Sequence, residues 1–134
     1  MSGEFLRVTA RTMLAKQDMR TKQYHILRAS AEGECQVASN PGGGQDEIVG
    51  VLQNKPNNNQ HASVGYDGVT KLIAGGAITA NRQITANSSG SAAHAGSGDW
   101  VLGQALNAAG ADGETISALL SIPAIHAPSS LAAL

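Results

Sequence analysis

The sequence predicts a mainly β domain, a small β-barrel or β-sandwich, preceded by an extended N-terminal arm. Three observations carry this. Turn-forming clusters recur roughly every eight to twelve residues from Ala31-Glu32-Gly33 onward, and beyond the arm no stretch holds apolar residues at helical spacing. The third is an internal duplication: Val49-Gly50-Val51-Leu52-Gln53-Asn54 is echoed by Leu102-Gly103-Gln104-Ala105-Leu106-Asn107, and Asp67-Gly68 by Asp112-Gly113. Gly50 and Gly103 lie 53 residues apart and the two Asp-Gly pairs 45, a difference of eight that a longer Lys55–Ala62 loop in the first half explains.

A chain of 134 residues suits one domain. Only 3% of its residues are aromatic, so its core must be made of Val, Ile, Leu and Ala. Such a core is thin, and self-association is expected to complete it. The single cysteine, Cys35, excludes an intramolecular disulfide and a thiolate metal cluster. No apolar run approaches the ~20 residues that span a bilayer, and Met1-Ser-Gly-Glu-Phe-Leu-Arg7 lacks the blocks of a signal peptide. The expectation is a soluble protein with no membrane partner, synthesised inside a cell. Residues 1–28 carry six cations against two carboxylates, whereas the remainder carries three against eight. A basic arm thus precedes an acidic body. It reads either as a solvated terminus or as a segment that docks on an acidic neighbour through Arg7, Arg11, Arg20 and Lys22; with Phe5 and Tyr24 as its only aromatics, it makes a poor base-stacking platform, and no nucleic-acid partner is expected.

Residues 1–21 admit two readings, a short helical stripe of Phe5, Val8, Met13 and Leu14 or an extended segment suited to Thr9, Thr12 and the scattered charges, and are assigned to an arm. Tyr24–Arg28 and Glu34–Ala38 read as strands of a hairpin about Ala31-Glu32-Gly33. Asn40-Pro41-Gly42-Gly43-Gly44 is a loop, and with Asp46 and Glu47 beside it and no Gly-Lys-Ser/Thr after it, it cannot cradle phosphate. Ile48–Leu52 is a buried strand in which Gly50 marks a bulge or a close backbone approach. Lys55–His61 is a polar exposed loop. Ala62–Tyr66 and Val69–Ile73 are strands on either side of a tight Asp67-Gly68 turn. Ala74-Gly75-Gly76-Ala77-Ile78 is a corner, followed by the Thr79–Gln83 loop between short strands at Ile78 and Ile84. Asn87–Gly90 is a turn, Ser91–His94 a weak strand, Ala95–Asp99 a loop, Trp100–Leu106 the strongest strand of the second half, Asn107–Gly113 its turn and Glu114–Ile122 the last strand. Pro123 ends it. The divisions are 1–21, arm; 22–122, β domain; 123–134, tail.

No residue set for catalysis emerges. His25, His61, His94 and His126 fall one per region, without the spacing of a metal pair, and read as separate surface histidines. Cys35 alternates with Gln36 in a strand and reads as a small apolar residue rather than a nucleophile. Asp67 and Asp112 stand where Asp-Gly is wanted for backbone reasons, without the alternating oxygen ligands of a calcium loop. Ser88-Ser89 and Ser129-Ser130 lack a nucleophile elbow. No cofactor is expected.

The succession Ile48–Pro56, Gly68-Val-Thr-Lys-Leu-Ile-Ala-Gly-Gly-Ala-Ile78, Val101–Asn107 and Asp112-Gly-Glu-Thr-Ile-Ser-Ala-Leu-Leu120 resembles the small phage-encoded capsid cement or decoration proteins. The resemblance covers about residues 22–122. It departs at Asn81-Arg82, where relatives often have Gly-Asp, and in the long basic arm, so no arm contact carries over. It implies a small β-tulip-type fold, assembly as homotrimers on the outside of an icosahedral head, and the bracing of major capsid subunits without enzymatic activity. On that reading the protein is made in the host cytoplasm and located on the capsid exterior of a virion, and subunit contacts are assigned to Val49, Val51, Leu52, Val101, Leu102 and Leu106. Two other classes stay open: a carbohydrate- or ligand-binding β-module of a virion fibre, with Trp100, Tyr24 and Tyr66 as its meagre stacking surface, and an enzyme whose site is assembled from dispersed residues.

Overall fold

The computed structural model describes residues 8–39, 47–96 and 99–126. They form nine strands and no helix: β1 (Val8–Ala15), β2 (Ile26–Ala31), β3 (Glu34–Val37), β4 (Ile48–Leu52), β5 (His61–Ile73), β6 (Gln83–Ala86), β7 (Ala92–His94), β8 (Trp100–Ala105) and β9 (Thr115–His126). Pairing runs β1-β3-β2-β4-β5-β9-β8-β6-β7, and β1 also pairs with β5. That last pairing closes the first five strands into a barrel. β5, 13 residues long, belongs to two structures: its beginning pairs with β1 and β4, and from Asp67 to Ile73 it pairs with β9. The remaining strands extend the sheet outward from it.

The barrel corrects the predicted arm. Most of residues 8–15 pair with β5, from Val8 opposite Gly68 to Leu14 opposite His61, and Leu14 and Ala15 pair in parallel with β3. Met13 and Ala15 are buried in the barrel core. The alternation Met13-Leu14-Ala15 is what places them there, and the scattered charges of Arg11 and Lys16 masked it. Arg7, the Asn40–Gly44 loop and residues 127–134 lie outside the described residues.

Asp67-Gly68 is likewise no hairpin turn. β5 runs straight through it, with Asp67 opposite Ser121 and Gly68 opposite Leu120, while the pairing with β1 skips Tyr66 at the same place. The residues mark the bulge at which the strand changes partners; Gly68 takes a φ of 103° there. Nor does Pro123 end β9. Val101 and Gly103 flank one residue of β8, whereas their partners Ile125 and Leu120 flank four of β9, so Pro123 sits where the ladder is interrupted and its missing N–H goes unneeded. The predicted hairpin about Gly33, the Asn87–Gly90 turn and the Asp112-Gly113 turn all form.

The core divides into two clusters. Met13, Ala15, Met19, Leu27, Cys35, Val37, Val49, Leu52, Ala62 and Val64 fill the barrel. A larger cluster, including Ile26, Ile48, Val51, Leu72, Ile84, Leu102, Ile116 and Leu120, lies under β5, β9, β8 and β6. β4 is buried throughout and serves both: Ile48 and Val51 enter the larger cluster, Val49 and Leu52 the barrel. A three-residue step between same-side residues is one more than a regular strand allows, and the ladder with β2 shifts at that point. Gly50 permits the shift, because a Cβ there would overlap the Gly65 carbonyl oxygen.

The duplication is structural, with a different alignment from the one read in the sequence. Gln53 N–H donates to Ser63 O (2.8 Å) and Leu106 N–H to Ser117 O (2.8 Å). Ser63 N–H donates to Asn54 Oδ1 (3.0 Å) and Ser117 N–H to Asn107 Oδ1 (2.7 Å). Gly103, like Gly50, has no room for a Cβ, which would overlap the Leu119 carbonyl oxygen. The matching pairs are therefore Asn54/Asn107 and Ser63/Ser117, and the two loops have nearly equal length. Asp67 and Asp112 are not equivalent. Ala74–Ile78 is the expected corner, bridged at Ala74 to Ala92 and at Ile78 to Ala109.

Candidate interaction surfaces

The residues assigned to subunit contacts are, with one exception, core. Val51, Leu52 and Leu102 are fully buried, and Val49 and Val101 nearly so. Val49, Val51, Leu52 and Leu102 already pack in the subunit's own core clusters, both faces of β4 being covered through the irregularity at Gly50, while Val101 lines a surface cleft. Leu106 alone is exposed, at 42%.

Leu106 has a companion that the sequence reading missed. Leu119 is also 42% exposed, and the two are the large exposed hydrophobics among the described residues. They share the outward face of the β5–β9–β8–β6 sheet: Leu119 stands between Gln104 on β8 and Val69 on β5, and Ser117 beside Lys71. Gln83 on β6 continues the row opposite Gln104. Thr115, Ser117, Leu119 and Ser121 occupy one parity of β9, with Ile116, Ala118 and Leu120 buried on the other. Leu119 is the apolar residue in the polar parity, a signal legible only once the strand's phase is known. The same inversion holds on β5, where Val69 and Ile73 are half-buried on the outward side while Thr70 is buried, its Oγ1 accepting from Gln53 Nε2 (2.9 Å) and donating to Lys71 O (3.1 Å). A shallow cleft of about 430 Å³ opens in this face, lined by Gln83, Gln104, Leu119 and Ser121 with Val101, Gly103 and Leu120 beneath.

Of the predicted basic contacts, Arg7 lies outside the described residues, Arg11 stands on β1, and Arg20 and Lys22 share the β1–β2 loop. Arg11 is exposed on β1, within electrostatic reach of Cys35. Arg20 is tied to Asp18, Nε to Oδ1 at 3.0 Å and Nη2 to Oδ2 at 2.8 Å, and these bonds pull the exposed Asp18 carboxyl down to about 2. Lys22 is half-buried in the same β1–β2 loop. That loop is knitted to the β4–β5 loop, with Met19 N–H on Pro56 O (2.9 Å), Asn59 N–H on Ala15 O (2.7 Å) and Lys16 Nζ on Asn59 Oδ1 (2.9 Å). Lys16, Arg20, Lys22 and Lys55 thus gather at one end of the barrel. Pro56 is buried there, against the expectation of a wholly exposed loop.

Two of the histidines are structural. His25 is half-buried, and its Nδ1 lies 3.1 Å from Lys22 O; burial, foremost, and the charge of Lys22 lower its pKa. His94 Nε2 accepts the Thr79 N–H at 2.9 Å, pinning the loop after the Ala74–Ile78 corner. Cys35 is buried in the barrel, and burial pushes its thiol up to about 11. Among the described residues no three His, Cys, Asp or Glu side chains converge as a metal site. Trp100 and Tyr66 are half-buried on different strands and line no portion of the cleft.

The sequence matches no protein-family model and no curated protein. Among solved structures the chain is similar to the head fibre gp8.5 N base of bacteriophage phi29, with a TM-score of 0.61 at 17% identity, over 86% of this chain and 95% of that one. At this identity the likeness is one of fold, and it extends over nearly the whole of that base domain.

Proposed function

We propose that this chain is a non-enzymatic structural protein of a phage virion. It binds the outer surface of an icosahedral head and stabilises contacts between neighbouring major capsid subunits. The observation that carries this reading is the likeness in fold, across 95% of its length, to the base of a phage head fibre, together with the order of sequence elements that resembles capsid cement proteins. The exposed sheet around Leu106 and Leu119 suits a contact surface. Its Ser, Thr and Gln side chains lose less conformational entropy on ordering than a lysine-rich face would. A protein that binds the assembled shell and not its free subunits shifts assembly toward the shell by its binding free energy, repeated over many copies. Self-association as a homotrimer belongs to the same proposal, with Leu106 and Leu119 at the contact in place of the buried residues.

The test is binding to purified heads of the phage that encodes the protein. Saturable occupancy by sedimentation and a raised temperature of head disruption are expected, with Leu119→Glu weakening self-association or occupancy and leaving the subunit folded. Absence of binding to heads would sink the proposal. The fibre reading keeps one observation in its favour, since the structural neighbour is itself a fibre base. Glycan-array binding lost on mutation of Gln83 or Gln104 would establish it instead.

A further inference from the structure

We propose that the open edge of β1, Val8–Met13, is a docking strand for an extended acidic segment of a partner polypeptide. The inference does not rest on the virion reading. β1 pairs with β5 along its length, but on its other side β3 reaches only Leu14 and Ala15. Thr9, Ala10, Arg11 and Thr12 are exposed in succession, whereas a strand paired on both sides in a barrel buries one parity. The direction of the backbone follows from its neighbours. Leu14 N–H donates to Gly33 O, toward β3, and Ala15 N–H to Gln60 O, toward β5. Main-chain groups alternate sides along an antiparallel strand, so those of Ala10 and Thr12 point the same way as those of Leu14, away from β5. No strand among the described residues pairs with them. The edge is about 20 Å long at the usual strand rise, and two sets of donors and acceptors at ladder spacing are what an added strand requires.

Charge selects the occupant. Arg11 is the one charged side chain of β1. In the fullest antiparallel register of two such edges, Ala10 faces Thr12 of a second copy and Arg11 faces Arg11, and like charges directly opposed are destabilising. A second copy is thereby disfavoured, and a strand with a carboxylate opposite Arg11 is favoured. Glu34, level with Leu14, and Glu32 in the adjoining turn repel acid at one end of the edge, and Asp67, opposite Thr9, at the other, so the carboxylate is confined to the position facing Arg11.

The probe is a capped eight-residue peptide of alternating Thr and Val with one central Glu, added at millimolar concentration to the full-length ¹⁵N-labelled protein; a Lys-bearing peptide is the control. At saturation the Ala10 and Thr12 amides should shift and exchange at least about tenfold more slowly, with Arg11 and Met13, already in the β5 ladder, unchanged. The Lys peptide should bind at least about tenfold more weakly, and Arg11→Glu should invert that preference. Thr12→Pro removes an outward N–H without touching the β5 ladder and should abolish binding, while Thr12→Ala should not. If Thr12→Pro fails to fold, the exchange pattern of the unmodified protein decides. The proposal is overturned by unchanged Ala10 and Thr12 amides, by equal affinity for the two peptides, or by protection of these amides that grows with protein concentration alone. None of these outcomes bears on binding to heads.

Discussion

A methyl group at Gly103 would overlap the Leu119 carbonyl oxygen, and one at Gly50 the Gly65 carbonyl oxygen. Neither obstacle is a flexible side-chain end, so Gly50→Ala and Gly103→Ala must force paired strands apart. Each should cost more than about 3 kcal/mol. Gly110→Ala meets only Glu114 Oε2 at 3.5 Å and should change stability by less than about 1 kcal/mol, the contrast being read by denaturant unfolding. Cys35 makes a second prediction at this scale. Its thiol, buried and held protonated with a pKa of about 11, should resist iodoacetamide at pH 8 in the native protein and react fully in guanidinium, as mass spectrometry would record. The need for glycine inside two strands, and the apolar role of Cys35, were legible from their neighbours. What Gly50 and Gly103 avoid was not, because each obstacle belongs to another strand more than ten residues away.

Among the elements, β1 departs most from its sequence. Charged and polar residues at Thr9, Arg11 and Thr12 suggested an arm, and they are exposed as such residues should be. The strand nevertheless closes the barrel through its backbone and through Met13 and Ala15. Removal of residues 2–15 should therefore abolish cooperative unfolding followed by circular dichroism. Truncation to residue 20 would not isolate a docking function. Turn chemistry was read correctly where its residues hydrogen-bond locally: Asn87 Oδ1 accepts from Ser89 N–H (2.8 Å) and Ser91 N–H (3.0 Å). It failed at Asp67-Gly68, where the same residue types serve a bulge that exists because β9 arrives alongside.

The stability of the whole molecule should depend on pH through His25. Burial and Lys22 lower its folded-state pKa below the ordinary value near 6.5, and its bonds to backbone carbonyls oppose this only partly. Above about pH 6.5 both the folded and unfolded states carry a neutral imidazole. As pH falls below that value the unfolded chain takes up the proton first, so stability should decline toward the folded-state pKa. Thermal melts between pH 8 and 5 should show the decline, and His25→Gln should flatten it. Asp18 acts in the opposite region: its carboxyl, held near 2 by Arg20, stays ionised across that range, and its exposed pair adds little to stability.

Local chemistry was enough to establish the class of fold, the turns at Gly33, Asn87–Gly90 and Asp112-Gly113, the corner at Ala74–Ile78 and the presence of a duplicated unit. Alternation, Asx turns and glycine placement act over a few residues and are written in the chain itself. The closure of the barrel by β1, the equivalence of Ser63 with Ser117, the burial of Val49, Val51, Leu52, Val101 and Leu102, and the outward turn of Leu119 were decided only in three dimensions. Each depends on which strand lies beside which, and a long-range pairing sets whether an apolar residue faces a core or a partner.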